Sequence, residues 1–168
     1  MLDFRFATAN DVELYYKWAN DAVVRQNSIN TKPINHDDHI KWYVGKVNNP
    51  QVLMYVFLNE TNTPVGQVII EQKDGWASVG QSVAVEHRGK KYSTEMLTKA
   101  TDDFLSKYPD ETIISVVKAS NIASLKMSEK SGFNVLILNE KHENNLVLKG
   151  CKQHDEIYIE RAKRILNL

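Results

Sequence analysis

The stretch "VAVEHRGKKYSTEML", residues 83–97, combines residue types that can bind an anion. A β-branched run leads into a turn with Arg88, Gly89, Lys90 and Lys91, and apolar residues at helical spacing follow. The first N–H groups of a helix lack intrahelical partners and carry the positive end of its dipole. Gly89 allows close backbone approach to a phosphate, and the basic side chains add positive charge. The stretch predicts a diphosphate site, with a solvated basic helix start as the alternative.

A second segment, "VVKASNIASLKMSEKSGF", has the features of a strand end followed by a short helix. Asn121 stands where the strand gives way to the helix, and Gly132 and Phe133 end the helix. The spacing of the two segments suits adjacent strands that diverge around one ligand, because mixed sheets bind ligands at such carboxyl ends. Asn121 as a helix cap alone is the other interpretation.

Together these segments resemble the Gcn5-related N-acetyltransferase (GNAT) family of acyl-coenzyme A-dependent transferases, and the resemblance covers nearly the whole chain. The family's phosphate loop has the pattern Arg/Gln-x-x-Gly-x-Gly/Ala, and residues 88–93 stand in those six places. The resemblance implies acetyl-CoA as co-substrate, without a metal. It also implies that the coenzyme is bound by main-chain groups of Val83 and Val85, by Arg88, Gly89, Lys90, Lys91, Tyr92 and Ser93, and by Asn121 and Ser124.

Two positions of the loop depart from the family pattern. Ser93 replaces Gly or Ala, which is a mild change because the side chain stays small. Lys91 replaces a glycine, and a lysine is strained if that position needs a positive φ. We expect Lys91 to have ordinary helical φ and ψ with its ammonium on a phosphate. We expect the Arg88 side chain to contact the ligand rather than the protein core.

The chemistry that the resemblance implies is direct attack of a neutral amine on the thioester of acetyl-CoA. Relatives use a Tyr as general acid seven residues after the motif Asn, where this chain has Ser128. The strand before the loop holds no carboxylate, so Gln81 can only orient water or substrate. Glu71 and His39 are the best-placed candidates for a general base, although a strand-edge charge and a packed histidine are the other interpretations.

The acceptor would lie against the first helices, in "WANDAVVRQNSINTKPINHDDHIKWYVGKV". Its "W-x-N-D" and "H-x-x-W" patterns resemble a GNAT branch that acetylates amino groups of nucleotide-linked deoxysugars, for surface glycans and flagellin, or ribosomal-protein N-termini. Trp42 or Tyr43 could stack on a base or sugar, and Arg25 could bind a phosphate. We expect a sugar-nucleotide amine; a protein N-terminus, another small amine or a non-catalytic CoA-binding module are the alternatives.

The elements that must position these residues are predicted from periodicity and turn residues. A first strand over 2–6 precedes helices at residues 11–21 and 36–47, the second capped by Asn35. A three-strand meander, a helix from about Ser93 to Tyr108, and a strand, a helix and two further strands follow, with the last strand at residues 155–163 and a loop at 139–145. The predicted fold is α/β, with a mixed parallel and antiparallel sheet and helices on both faces, as the GNAT-like acyl-CoA N-acyltransferase fold has.

Composition limits the remaining classes of function. With 168 residues we expect a single domain over 1–168, and 21 basic against 21 acidic residues leave no surplus for nucleic acid or anionic membranes. The single Cys151 favours a reducing compartment, and the lack of a signal or membrane-spanning segment predicts a cytoplasmic protein. His36 and His39 have ligand-like spacing without a thiol cluster, so we expect no metal. The oligomeric state, a homodimer included, stays open.

Overall fold

Seven β-strands form one sheet in this computed structural model, which describes residues 1–136, 144–150, 160, 163 and 164. In chain order they are β1 (Asp3–Phe6), β2 (Val52–Leu58), β3 (Pro64–Lys73), β4 (Trp76–Val83), β5 (Thr112–Lys118), β6 (Asn134–Leu136) and β7 (Asn144–Gly150). Their order across the sheet is β1-β2-β3-β4-β5-β7-β6. Every neighbouring pair is antiparallel except β4 and β5, which are parallel. The predicted mixed sheet is confirmed.

Five α-helices in residues 1–136 cover both faces of the sheet: α1 (Val12–Ala19), α2 (Ala22–Asn27), α3 (His36–Val47), α4 (Tyr92–Lys107) and α5 (Ile122–Lys130). Helices α1 and α3 contribute Tyr15, Trp18 and Tyr43 to one buried cluster. Helix α4 contributes Met96 and Phe104 to a second cluster. Because successive side chains of a strand point to opposite faces, β2 serves both clusters, with Val52, Met54 and Val56 in the first and Tyr55 and Phe57 in the second.

Side-chain caps fix where two of these helices begin. The Asn35 side chain accepts hydrogen bonds from the N–H groups of Asp37 and Asp38, which confirms the predicted start of α3. The Asp21 side chain does the same for Val23 and Val24 at the start of α2. Helix α2 has six residues and was not predicted, because a stretch this short shows too little apolar periodicity to distinguish a helix from a loop.

The carboxyl-terminal predictions are only partly met. Residues 139–145 were expected to form a loop, but Asn144 and Asn145 belong to β7, which pairs along the whole of β5. The strand expected over 155–163 is wrong at Glu160, which is helical, as is Lys163 at its end. The described residues do not include the rest of 155–163, and they also exclude residues 139–143 and Cys151. No helix in the described part of the chain is long and apolar enough to cross a bilayer.

Candidate functional site

The central feature of the site is a gap between the parallel strands β4 and β5. Their pairing is limited to Ala77 with Ile113 and Ser78 with Ile114. Directly beyond these pairs, the Ser115 hydroxyl donates to the Val79 carbonyl at 3.0 Å, so a side chain replaces the backbone ladder. The strands then diverge toward their carboxyl ends, as the sequence predicted for the ligand site.

The backbone of β4 presents hydrogen-bonding groups to this gap. The N–H of Ala84, directly after β4, donates to the Val65 carbonyl of β3. The backbone N–H and C=O groups of even-numbered residues in β4 therefore point toward β3. The backbone groups of odd-numbered residues point into the gap, as the carbonyl of Val79 does. By this alternation the N–H and C=O of Gln81 and the N–H of Val83 line the gap, where an extended ligand with amide groups can pair with them.

The gap continues as a cavity of about 530 Å³ that reaches both faces of the sheet. On one face it is lined by residues of α4 and α5, including Tyr92, Ser93, Asn121, Ser124 and Ser128. On the other face it is lined by residues of α2 and the segment after it, namely Val23, Val24, Asn27, Ser28 and Ile29. Two molecules can therefore meet in the gap from opposite faces of the sheet.

The predicted phosphate loop forms one end of the cavity. Gly89 has φ of +79°, and a Cβ on residue 89 would meet no heavy atom within 4 Å. Lys91 has φ of +64° and ψ of 13°, so the ordinary helical backbone that we expected is wrong. Lys91 keeps the left-handed conformation that suits a glycine, at a cost of about 1 kcal/mol or more. It immediately precedes α4, whose first N–H groups face an incoming anion.

Arg88 lines the cavity, but its side chain is also held by protein groups, which corrects the expectation that it contacts the ligand rather than the protein. Its Nη2 lies 2.5 Å from Asp21 Oδ1, and its Nε donates to the Val83 carbonyl at 3.3 Å. Burial raises the pKa of Asp21, but the hydrogen bonds from Arg88 and from the α2 backbone lower that pKa below its ordinary value overall. Arg88 therefore connects the phosphate loop to the start of α2.

The other predicted coenzyme residues divide into those at the cavity and those outside it. The Asn121 side chain accepts from the Ser124 N–H at 3.1 Å, so it caps α5 while both residues line the cavity. Val83 also lines it, but its carbonyl is taken by Arg88. Val85 is half-exposed in a 3₁₀ turn (Val85–His87) outside the cavity lining, so its expected main-chain contact is not supported. Lys90 is exposed beside the lining residues.

His39 is not placed to act as a base. It is 2% exposed, and its Nε2 lies 3.0 Å from the Val12 carbonyl. Its ring packs between Tyr16 and Trp42, outside the cavity. Burial lowers its pKa below the ordinary value, more than the hydrogen bond to Val12 raises it. The packing interpretation of this histidine is the correct one.

Glu71 is also excluded as a base by its surroundings. It forms ion pairs with Lys46, at 2.7 Å, and with Lys73. Burial raises its pKa, but the two ammonium groups lower that pKa below the ordinary value overall. A carboxylate held ionised by two lysines is a weak base, and Glu71 lies outside the cavity lining, so it is not placed to accept a proton from an amine there.

The three side chains predicted to bind the acceptor from the first helices lie outside the cavity. Tyr43 is fully buried, with its hydroxyl donating to the Thr8 carbonyl at 2.6 Å. Trp42 lies on the outer side of α3 against His39. The Arg25 guanidinium donates to the Ala19 and Asn30 carbonyls and to the Ser28 hydroxyl, so it holds the chain around α2 instead of a substrate phosphate. The structure therefore does not bring these three side chains to the cavity.

Gln81 and Ser128 are placed at the cavity as expected. The Gln81 amide nitrogen lies 3.1 Å from the Met127 sulfur of α5, and its Oε1 is buried without a partner among the described atoms. Ser128 is 2% exposed on the inner side of α5. Both therefore lie on the α4–α5 side of the gap.

Sequence reasoning missed Lys118 and Gly80, which line the cavity on the α2 side. The Lys118 Nζ donates to the Gln26 carbonyl of α2 at 2.7 Å. A Cβ on residue 80 would meet no heavy atom within 4 Å. A glycine inside a strand was the available signal for Gly80, because such a residue often marks the close approach of a ligand. No comparable signal exists for Lys118, whose partner is far away in the sequence.

A metal centre finds no support in the part of the chain that the structure describes, which contains no group of three candidate ligands. His36 bonds Glu13 at 2.8 Å on the surface, and His39 bonds a carbonyl. The ligand-like spacing of the two histidines thus has a packing explanation.

Comparison with known proteins agrees with this geometry. Residues 2–134 match the family described as the acetyltransferase (GNAT) domain, and the chain belongs to that family. It is accordingly an N-acetyltransferase whose co-substrate is acetyl-CoA. The gap-facing amides, the glycine turn and the start of α4 fit such a coenzyme. A comparison with curated proteins finds no match.

Solved structures with the same fold cover most of this chain. A domain from Methanocaldococcus jannaschii DSM 2661 has a TM-score of 0.74 at 19% identity, covering 89% of this chain and 97% of its own. A spermidine N-acetyltransferase from Vibrio cholerae in complex with CoA and spermine has a TM-score of 0.73 at 16% identity, covering 88% and 92%. The aminoglycoside acetyltransferase AAC(6')-Ib, in complex with coenzyme A and kanamycin, has 0.72 at 17% identity, covering 94% and 99%. At these identities the likeness shows the fold alone.

Replacing Lys91 by glycine tests the strain in the phosphate loop. We expect Lys91→Gly to raise the free energy of unfolding by about 1 kcal/mol, because glycine adopts positive φ without steric cost. The expected gain is in the stability of the folded protein. Urea denaturation measures it. The control is Lys90→Gly, where φ is not positive, and which should stabilise nothing; equal destabilisation by both variants would contradict the assignment.

The ion pair between Arg88 and Asp21 should contribute to stability. We expect Arg88→Ala and Asp21→Asn each to lower the free energy of unfolding by about 1–3 kcal/mol, with a coupling of about 1 kcal/mol in the double mutant. Asn still caps α2, so this substitution isolates the charge. The exposed pair of Lys17 and Glu86 provides a control, and Lys17→Ala should leave the free energy of unfolding nearly unchanged.

The same cycle has a pH dependence with a defined sign. The pKa of Asp21 is lowered in the folded protein, so its contribution is present above the unfolded value of about 3.9 and is lost as the pH falls through the lower folded value. The coupling between positions 21 and 88 should therefore shrink below about pH 4. Additive effects of the two substitutions at neutral pH would show that the pair is not coupled.

Proposed function

We propose that this N-acetyltransferase acetylates the primary amine of a nucleotide-linked deoxysugar. The observation that carries the proposal is the charge of the cavity. Among the described residues that line it, none is Asp or Glu; Arg88 and Lys91 lie at the phosphate loop, and Lys118 is basic on the α2 side, where the acceptor would enter. A polycationic acceptor gains nothing from such a lining, and an acceptor with phosphate groups does. The total charge of the chain is balanced, so this excess is local.

The coenzyme is assigned to the α4–α5 side. The turn with Gly89 and the first N–H groups of α4 would hold its diphosphate, and Asn121 and Ser124 lie farther along the same side. The gap-facing groups of Gln81 and Val83 would pair with its pantetheine amides. When bound, acetyl-CoA supplies an activated acetyl group whose carbonyl carbon accepts a nucleophile. The acceptor amine then enters from the α2 side, because the other side of the gap is taken.

Ser128 is our proposal for the residue that donates a hydrogen bond to the departing thiolate, which takes its proton from water. It lines the cavity on the coenzyme side, at the position where relatives carry a tyrosine. A serine hydroxyl is a weak acid, so its contribution consists of one hydrogen bond to developing negative charge. His39 and Glu71 lie elsewhere, and we propose that the proton of the amine passes to water in the open cavity.

The acceptor class is tested by release of free thiol from acetyl-CoA with a panel of amines. We expect turnover of nucleoside diphosphate-linked amino-deoxysugars, because their phosphates complement the basic lining, and much slower turnover of spermidine and kanamycin. A peptide with a free N-terminus is the control for the protein-directed alternative. Turnover of polyamines alone would contradict the proposed acceptor. Coenzyme binding without thiol release for any amine would indicate a binding module instead.

Replacing Ser128 by alanine tests its proposed role. We expect kcat to fall by about tenfold, less than the roughly 10²–10⁴-fold contributed by strong general acids, while the KM for acetyl-CoA stays unchanged. Ser131→Ala is the matched control, since Ser131 is equally buried one turn away but bonds the Met127 carbonyl. An equal loss in both variants would show that burial of a hydroxyl, and not its position at the thioester, matters.

A further inference from the structure

On the α2 side of the gap, residues of β4 and β5 line one part of the cavity, which we call the room. In β5, the Val117 side chain packs in the α4 cluster. Val116 packs with Ile114 on the opposite face of the sheet. Because side chains alternate along a strand, Lys118 points to the same face as Val116. Ala84, directly after β4, packs in the α1–α3 cluster, so Gly80, four residues earlier, is on the same face of the sheet. Residues of α2 close the room from above. It lies on the face of the sheet opposite α4 and α5 and is connected to the coenzyme side through the gap.

Gly80 keeps this room open. A Cβ at residue 80 would meet no heavy atom within 4 Å, and the φ of this glycine is not positive. The backbone conformation at residue 80 therefore allows a residue with a side chain, and that side chain would extend into the space between the strands and α2. The Ser82 side chain is on the same face of the sheet as Gly80. Its hydroxyl, which accepts a hydrogen bond from the Gln67 amide at 3.2 Å, is a polar group on this wall of the cavity.

Lys118 lies where β5 ends in this room. Its Nζ donates one hydrogen bond, to the Gln26 carbonyl, and an ammonium has three donors. No carboxylate forms an ion pair with it among the described residues, in contrast to Arg88, whose charge is matched by Asp21. Its charge is thus available on the side of the cavity opposite the phosphate loop, with two donors left for a ligand.

We propose that Lys118 binds a phosphate of the acceptor, and that Gly80 provides the space through which the acceptor amine reaches the thioester. This inference rests on the proposed function and assigns its acceptor side to two residues. The Gln26 carbonyl holds the ammonium in position, which reduces the conformational entropy lost on binding. The chemistry recognised is an anionic group a fixed distance from a primary amine, as in an amino sugar linked to a nucleoside diphosphate.

The experiment compares two acceptors and four variants. The acceptors are a nucleoside diphosphate-linked amino-deoxysugar and the same amino sugar without its nucleotide. Lys118→Met should raise the KM for the linked acceptor by about tenfold or more, reduce its salt dependence, and leave the KM for the free sugar and for acetyl-CoA within about twofold. Lys118→Arg keeps the charge and should stay near the wild type. Lys41→Met, on the exposed side of α3, is the control for loss of a lysine.

Gly80→Val tests the room independently of charge. We expect it to abolish turnover of both acceptors while calorimetric binding of coenzyme A stays within about twofold of the wild type, because the added side chain lies on the other face of the sheet. Lost coenzyme binding in this variant would place the coenzyme on the α2 side and overturn the inference.

The outcomes also separate this inference from the acceptor class. If the wild type acetylates no nucleotide-linked amine, the proposed function fails and the inference with it. If the wild type acetylates it and Lys118→Met is unchanged, only the role of Lys118 fails. A rise in the KM for acetyl-CoA would assign Lys118 to the coenzyme, and an equal rise for both acceptors would show that it merely fastens α2.

Discussion

The early end of parallel pairing between β4 and β5 is the constraint on which the site depends. Two paired positions hold the strands together, and the Ser115 hydroxyl then occupies the Val79 carbonyl that a third pair would have used. Backbone groups beyond this point would be costly to bury without partners, so the gap requires either water or a ligand with amides. The antiparallel pairs on both flanks extend over full strands and keep the opening rigid.

Charged side chains near the gap are mainly used for positioning. Arg25 donates hydrogen bonds to carbonyls of its own segment, and Arg88 forms an ion pair with Asp21. As a result, α2 is held at its start by the loop that would bind the coenzyme and at its end by Lys118 of β5. A six-residue helix has little stability of its own, so these contacts determine where the wall of the cavity lies. The geometry of the acceptor side is thus coupled to that of the phosphate loop.

The fold followed from the sequence to a greater extent than the site did. Periodicity placed the meander and α3 with its Asn35 cap, since these depend on neighbouring residues. The roles of His39 and Tyr43 could not be predicted in this way, because a helical pattern indicates that residues share a face but not what covers that face. The partners of Arg88 and Lys118 are 67 and 92 residues away, and only the tertiary fold brings such pairs together.

Lys91 illustrates how backbone and side chain are decided at different levels. The strand before it and the helix after it fix the path of the turn, so the left-handed conformation persists although a lysine is present. The residue type alone predicts the wrong backbone here, because the flanking elements impose the backbone on the residue. A departure from a glycine pattern therefore does not by itself indicate a changed loop. In this chain the loop geometry is kept, its stability is reduced, and one more positive charge is placed where the cavity meets the start of α4.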